Sequence, residues 1–172
     1  MSISFITILL ITYLISLPVL LFLVKNPKAL KIIMTISLVC YLVLLFLNTT
    51  SYMRVGREGI SIAVSVKGGW FDKKPMLDIL PYDFEDFYKN IIMFLPLGTC
   101  VTALKQCKFW KCMVYAFFVG FGVSFCIEFI QYATPLYRFP QLSDLIFNTL
   151  SCMLGALYTF GIIKLKEKIL KI

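Results

Sequence analysis

Glu128, Gln131, Arg138, Asp144 and Asn148 fall in one stretch, Glu128 to Gly155, between two long apolar runs, and Asn90 opens another apolar run upstream. A charged group at mid-helix depth in a membrane costs about 2.5–3.5 kcal/mol on insertion scales, so such groups face protein or water rather than lipid. Their types suit several chemistries. Arg138 can hold a phosphate or carboxylate in bidentate geometry, and Asn90, Gln131 and Asn148 can bond amide or sugar groups. Glu128 and Asp144, held close, can share a proton and form an acid/base pair, which makes them the candidate catalytic residues. The same set also suits a structural role. One arginine and two carboxylates can tie two helix ends and a turn together, and removing one partner of a desolvated pair strands a charge. A proton or ion path fits least, because no polar group marks a way to the far side of the membrane.

Several reaction classes lack their residues. The chain has no histidine, which removes the commonest metal ligand and the usual near-neutral acid/base. No nucleophile elbow, phosphate loop or metal cluster is visible, and neither a metal nor a cofactor is expected. The six cysteines are Cys40, Cys100, Cys107, Cys112, Cys126 and Cys152. None forms a CxxC pair, and all six read as small free side chains rather than a zinc site or a disulfide framework.

The elements that must position the polar set are apolar helices. The chain is 172 residues long and 60% hydrophobic, with a mean hydropathy of +0.88. Soluble domains are about 45–50% apolar, so the expected class is all-α: one polytopic membrane domain over residues 1–172. Largely apolar runs predict five transmembrane helices at about 3–24, 31–48, 87–104, 110–133 and 144–163, each near the length that crosses a roughly 30 Å hydrocarbon core. The first has no basic region before it and reads as a retained span, not a cleaved signal peptide. Between helices 2 and 3 lies a long irregular loop over 49–86, rich in aromatics suited to an interfacial seat. Within it the run from Gly59 to Val66 alternates as a short strand or a hairpin arm does. Asp83 and Asp86 are placed to start the third helix, and Ser143 or Asp144 to cap the fifth. Pro96 predicts a bend, and Gly98, Gly120, Gly122 and Gly155 read as sites of close helix approach.

Charge fixes the expected orientation. Lysines 25, 28, 31, 105, 108, 111, 164, 166, 168 and 171 all fall on one side of a five-span topology. The positive-inside bias then puts the N-terminus and the long loop outside and the C-terminus in the cytoplasm of a multi-pass cell-membrane protein. It also gathers Asn90, Glu128, Gln131, Arg138, Asp144 and Asn148 into one layer at the outer leaflet, as a candidate ligand-binding site. Membrane lipids are the expected surroundings. Nucleic acid is not an expected partner, because no folded basic surface stands away from the membrane.

The ordered pieces Leu80-Pro81-Tyr82, Asn90-x-x-x-Phe94-x-Pro96-x-Gly98, Glu128-x-x-Gln131 and Asp144-x-x-x-Asn148-Thr149, ending at Gly155, resemble the VanZ family of bacterial membrane proteins. They cover residues 80–155. Two elements depart from the family pattern: Ser151 and Cys152 stand where glycines often follow the Asn-Thr pair, and Asp78 stands near the place of an Asn before Pro81. The resemblance implies protection against teicoplanin, a lipoglycopeptide antibiotic that binds cell-wall precursors. The ligand implied for the polar layer is such a lipoglycopeptide or a lipid-linked cell-wall precursor. The other readings are a membrane enzyme acting on a lipid-linked envelope substrate and a structural or interaction subunit.

Overall fold

The computed structural model describes residues 11–12, 15–16, 19–24, 26–50, 52–56, 59–63, 71, 74–78, 84–135 and 139–170. A first helical stretch, α1, has its described helical residues at 11–12, 15–16 and 19–23. Four long helices follow: α2 (Pro27–Thr50), α3 (Phe84–Lys105), α4 (Phe109–Ala133) and α5 (Leu142–Leu170). All four are long and apolar enough to cross a membrane. The first expected span, 3–24, lies partly outside the described residues.

The boundaries differ from the sequence reading for local reasons. The Asn-Pro pair that reads as a turn is the start of α2. The Asn26 Oδ1 accepts hydrogen bonds from the backbone N–H of Lys28 at 2.9 Å and of Ala29 at 3.4 Å. An asparagine cap followed by proline at the first helical position is a strong start signal, so α2 begins at Pro27, ahead of the expected residue 31. The fifth helix starts at Leu142, which puts both expected caps, Ser143 and Asp144, inside its first turn. There Asp144 complements the positive end of the helix dipole. The same helix continues through Lys164, Lys166 and Lys168, because Lys, Glu, Leu and Ile hold a helix as well outside the membrane as in it. Asp83 lies outside the described residues.

The 49–86 connection is not wholly irregular. Strand β1 (Tyr52–Gly56) pairs antiparallel with β2 (Gly59–Ala63), with Tyr52 opposite Ala63 and Gly56 opposite Gly59. The alternation at Gly59 marks the second arm. The first arm carries no clear alternation, and pairing across the hairpin supplies what it lacks.

Helix α3 is the axis of the bundle. Met93, Phe94, Leu97 and Val101 pack with Tyr41 and Leu45 of α2, Ala116 and Ile127 of α4, and Cys152 and Ala156 of α5. A second cluster joins Leu21, Leu30, Met34, Cys100 and Ala103. The Tyr41 hydroxyl donates to the Met93 carbonyl and so fastens α2 to α3.

Glycines set the α3–α5 crossing. A Cβ on Gly98 would fall 1.8 Å from the carbonyl oxygen of Cys152, and one on Gly155 would fall 2.0 Å from that of Leu95. Only glycine allows backbones this close. Gly120 brings α4 against the Cys152 side chain, 2.6 Å from its own hypothetical Cβ. Gly122 is a correction: nothing lies within 4 Å of a Cβ there, so it is no contact point.

Cys107 and Cys112 are also a correction. They form a disulfide across the turn between α3 and α4, with Cα atoms 5.7 Å apart, well inside the range a disulfide spans. The tight turn brings together two residues whose sequence spacing matches no disulfide signature. Cys40, Cys100, Cys126 and Cys152 are not in disulfides.

Candidate functional site

Helix α4 buries a stripe at nearly four-residue spacing: Cys112, Ala116, Gly120, Ser124, Glu128 and Gln131. Such spacing keeps one face toward a neighbour, and here the neighbour is α5. Small residues line the lower part of the stripe and polar ones the upper part, where α4 ends. Helix α5 presents Asp144 and Asn148 one turn apart, and α3 contributes Asn90 from its second turn.

The structure brings these residues together. The Asn90 Nδ2 donates to Asp144 Oδ1 at 2.7 Å, joining the starts of α3 and α5. The Asn148 Nδ2 donates to Ser124 Oγ at 3.0 Å, joining α5 to α4. The Glu128 Oε2 accepts the backbone N–H of Gln141 at 2.8 Å, joining the end of α4 to the approach to α5. Asn90, Gln131 and Asn148 are at most 6% exposed, and Glu128 is 9% exposed. A polar group this enclosed is costly to leave without a hydrogen bond. Arg138 lies outside the described residues.

The connection after the hairpin folds onto this layer. Met76 bridges to Gln141: its backbone N–H donates to the Pro140 carbonyl at 2.9 Å, and its own carbonyl accepts from Leu142 N–H at 2.9 Å. Phe71 meets Tyr132 edge to face, with ring centroids 5.7 Å apart. The polar layer therefore sits beneath a cover of main chain and aromatic side chains, near the ends of three helices.

One atom in the layer has no bond. The Asn148 side-chain oxygen is buried and has no hydrogen-bond partner among the described residues. Leaving such an acceptor bare costs about 1–3 kcal/mol, which favours a donor from outside. No cluster of three or more His, Cys, Asp or Glu suited to a metal is found among the described residues.

Sequence reasoning missed Ser124, Gln141 and Met76. Ser124 had a signal, since it lies four residues before Glu128 on the same helical face. Gln141 and Met76 act through backbone atoms and carry no side-chain signature.

A cavity of about 590 Å³ opens at the other end of the bundle, between the end of α3, the start of α4 and the late part of α5. None of the residues predicted for the polar layer lines it.

Among the comparisons with known proteins, no curated protein and no solved structure matches the chain. A family model described as VanZ/LLP1 matches residues 4–164. That match takes in every described part of the polar layer and most of the bundle that carries it, and the chain belongs to the VanZ/LLP1 family.

Proposed function

We propose that this VanZ-family protein protects its cell against teicoplanin-type lipoglycopeptides, and that the covered polar layer binds an amphiphilic ligand on the outer side of the membrane. The observation that carries the reading is the buried, unpartnered Asn148 oxygen among Asn90, Glu128, Gln131 and Asp144. An acceptor of that kind suits the amide or hydroxyl donors of a glycopeptide or of a lipid-linked wall precursor. The cover formed by Phe71 and residues 74–78 suits the ligand's apolar part. Arg138 joins the proposed site by sequence alone. The lysine bias supports an outer placement for this end of the bundle.

A second reading has its own support. Hydrogen bonds of Asn90, Glu128 and Asn148 each tie one element to another, which is what a purely structural clamp would do.

One experiment separates the two. Teicoplanin susceptibility is measured in a Gram-positive host lacking the protein, with wild type, Glu128→Gln and Asp144→Asn at matched membrane levels. Vancomycin, which has no lipid tail, is the control. A ligand site predicts tolerance to teicoplanin alone, lost in variants that still insert. A clamp predicts that both variants act only through reduced membrane levels. If wild type changes nothing, the resistance reading fails.

A further inference from the structure

The cavity at the basic end has the makings of a lipid site. Its walls are apolar where helices α1, α2 and α5 meet: Leu21, Leu30, Phe160 and Ile163 line it. Three lysines also line it, Lys108, Lys164 and Lys166, against one acid, Glu167. That acid is held by Lys164 at 2.7 Å. Lys166 donates to the carbonyls of Leu21 and Val24. These carbonyls lie at the end of α1, so this lysine caps α1 and holds that wall in place. Lys108 stands exposed on the turn that the Cys107–Cys112 disulfide closes.

Inside the cavity wall, the Thr102 hydroxyl is buried, at 1% residue exposure, and has no hydrogen-bond partner among the described residues. A helical threonine ordinarily bonds the carbonyl one turn back, as Thr99, Thr149 and Thr159 do here. Thr102 does not. Its hydroxyl is a donor left for a guest.

We infer that this cavity binds an anionic phospholipid of the leaflet at the basic end, with its phosphate between Thr102 and Lys108 and the start of one acyl chain against Leu30 and Phe160. Each part of the ligand answers a part of the cavity. The net positive lining calls for an anion, and basic pockets between spans on the cytoplasmic side are known seats for acidic head groups. The apolar walls call for hydrocarbon, which inorganic phosphate lacks. The volume of about 590 Å³ falls within the usual range for small-molecule sites. The site opens between helix ends, where head groups lie. It is independent of the polar layer and of its proposed ligand.

The test uses the full-length protein in a neutral detergent. Thermal unfolding is followed while phosphatidylglycerol, phosphatidylcholine or inorganic phosphate is titrated in. Binding to the folded state raises the midpoint with ligand concentration. Phosphatidylglycerol is expected to raise it saturably, with no comparable effect from the other two. Lys108→Gln removes an exposed charge and leaves the core intact. It is expected to weaken the apparent affinity for phosphatidylglycerol about tenfold, the effect of losing one charge-assisted bond. Thr102→Val keeps the shape and removes the donor, and is expected to weaken affinity by about threefold or more while the lipid-free midpoint holds or rises, as a lost neutral bond implies. An equal shift with phosphatidylcholine means non-specific lipid stabilisation and overturns the site. An equal shift with inorganic phosphate means a free-anion site and overturns the lipid assignment. Unchanged affinity in both variants places the lipid elsewhere and overturns the proposal too.

Discussion

The two ends of the bundle solve opposite problems. At the end carrying Glu128 and Asp144, polar side chains are packed between helices, bonded across elements and covered by the returning chain. At the end carrying Lys108 and Lys164, charges stand at the rim of an open, mostly apolar cavity. Burial makes the first end a place where every group needs a partner, because an unsatisfied polar atom there costs about as much as a lost hydrogen bond. Exposure makes the second end tolerant, because water can serve the lysines. Substitutions that conserve shape are therefore expected to be felt at the polar end and hardly noticed at the basic end.

Both ends depend on the glycine crossing between them. Gly98→Ala places a methyl group 1.8 Å from a backbone oxygen of α5, and Gly155→Ala places one 2.0 Å from a backbone oxygen of α3. Backbone cannot step aside as a flexible side chain can, so α3 and α5 must separate. The expected loss is about 3 kcal/mol or more, at or beyond the upper end of overpacking effects. It reads out as loss of folded protein from the membrane, and near-normal levels of either variant would refute the crossing. This substitution erases the contrast between the ends, since it disrupts both.

The next largest effects sharpen it. Ser124→Ala and Asn148→Ala each leave a buried partner stranded, and each is expected to lower stability by about 1–3 kcal/mol. Because the two side chains share one bond, the double variant is expected to lose less than the two single losses added together. Denaturant unfolding in detergent measures the coupling, and strict additivity would show that the bond carries nothing.

At the basic end the disulfide is the chief constraint. Reducing Cys107–Cys112, or making Cys107→Ser, frees a short loop and is expected to lower stability by about 2 kcal/mol on the chain-entropy account. The pair also bears on orientation. Disulfides persist in oxidising compartments, whereas the lysines around this one point to the cytoplasm. Membrane-impermeant maleimide added to intact cells, with and without prior permeabilisation and reduction, decides the matter. Labelling of Cys107 and Cys112 only after permeabilisation places the basic end inside. Labelling in intact cells once the bond is reduced places it outside, and the polar layer with its proposed ligand would then face the cytoplasm.

Much of this architecture is legible in the chain, for physical reasons. Largely apolar runs of membrane length announce helices whatever their neighbours, so the spans of α2 to α5 can be read off to within a few residues, except that α5 runs on to Leu170, past the expected end at 163. The convergence of Asn90, Glu128 and Asp144 follows from topology, because alternating spans must return their ends to common surfaces. What cannot be read is what depends on main-chain atoms far apart in sequence. The Met76–Gln141 bridge uses only backbone groups, and any residues there could make it. The first hairpin arm, Tyr52–Gly56, takes its form from its partner. The cavity and the bare Thr102 hydroxyl are absences of packing, which composition does not encode.

Gly122 offers the smallest and cleanest contrast. It lies two residues from Gly120, and in sequence the two look alike. Helical geometry separates them by about 200°. Gly120 lies on the stripe with Ala116 and Ser124 and meets Cys152. Gly122 meets nothing within 4 Å, so a methyl group there has room. An exposed helical glycine is about 1 kcal/mol less favourable than alanine in intrinsic propensity. Gly122→Ala is thus expected to leave stability unchanged or raise it by up to about 1 kcal/mol, whereas Gly120→Ala must push against the Cys152 side chain and lower it. Cys152→Gly in the same chain removes the Cβ that lies 2.6 Å away and should recover part of the Gly120→Ala loss, while doing nothing for Gly122→Ala. If Gly122→Ala proves as damaging as Gly120→Ala, the outer face of α4 has a close neighbour in the membrane, and a second helix packed there becomes the explanation to pursue.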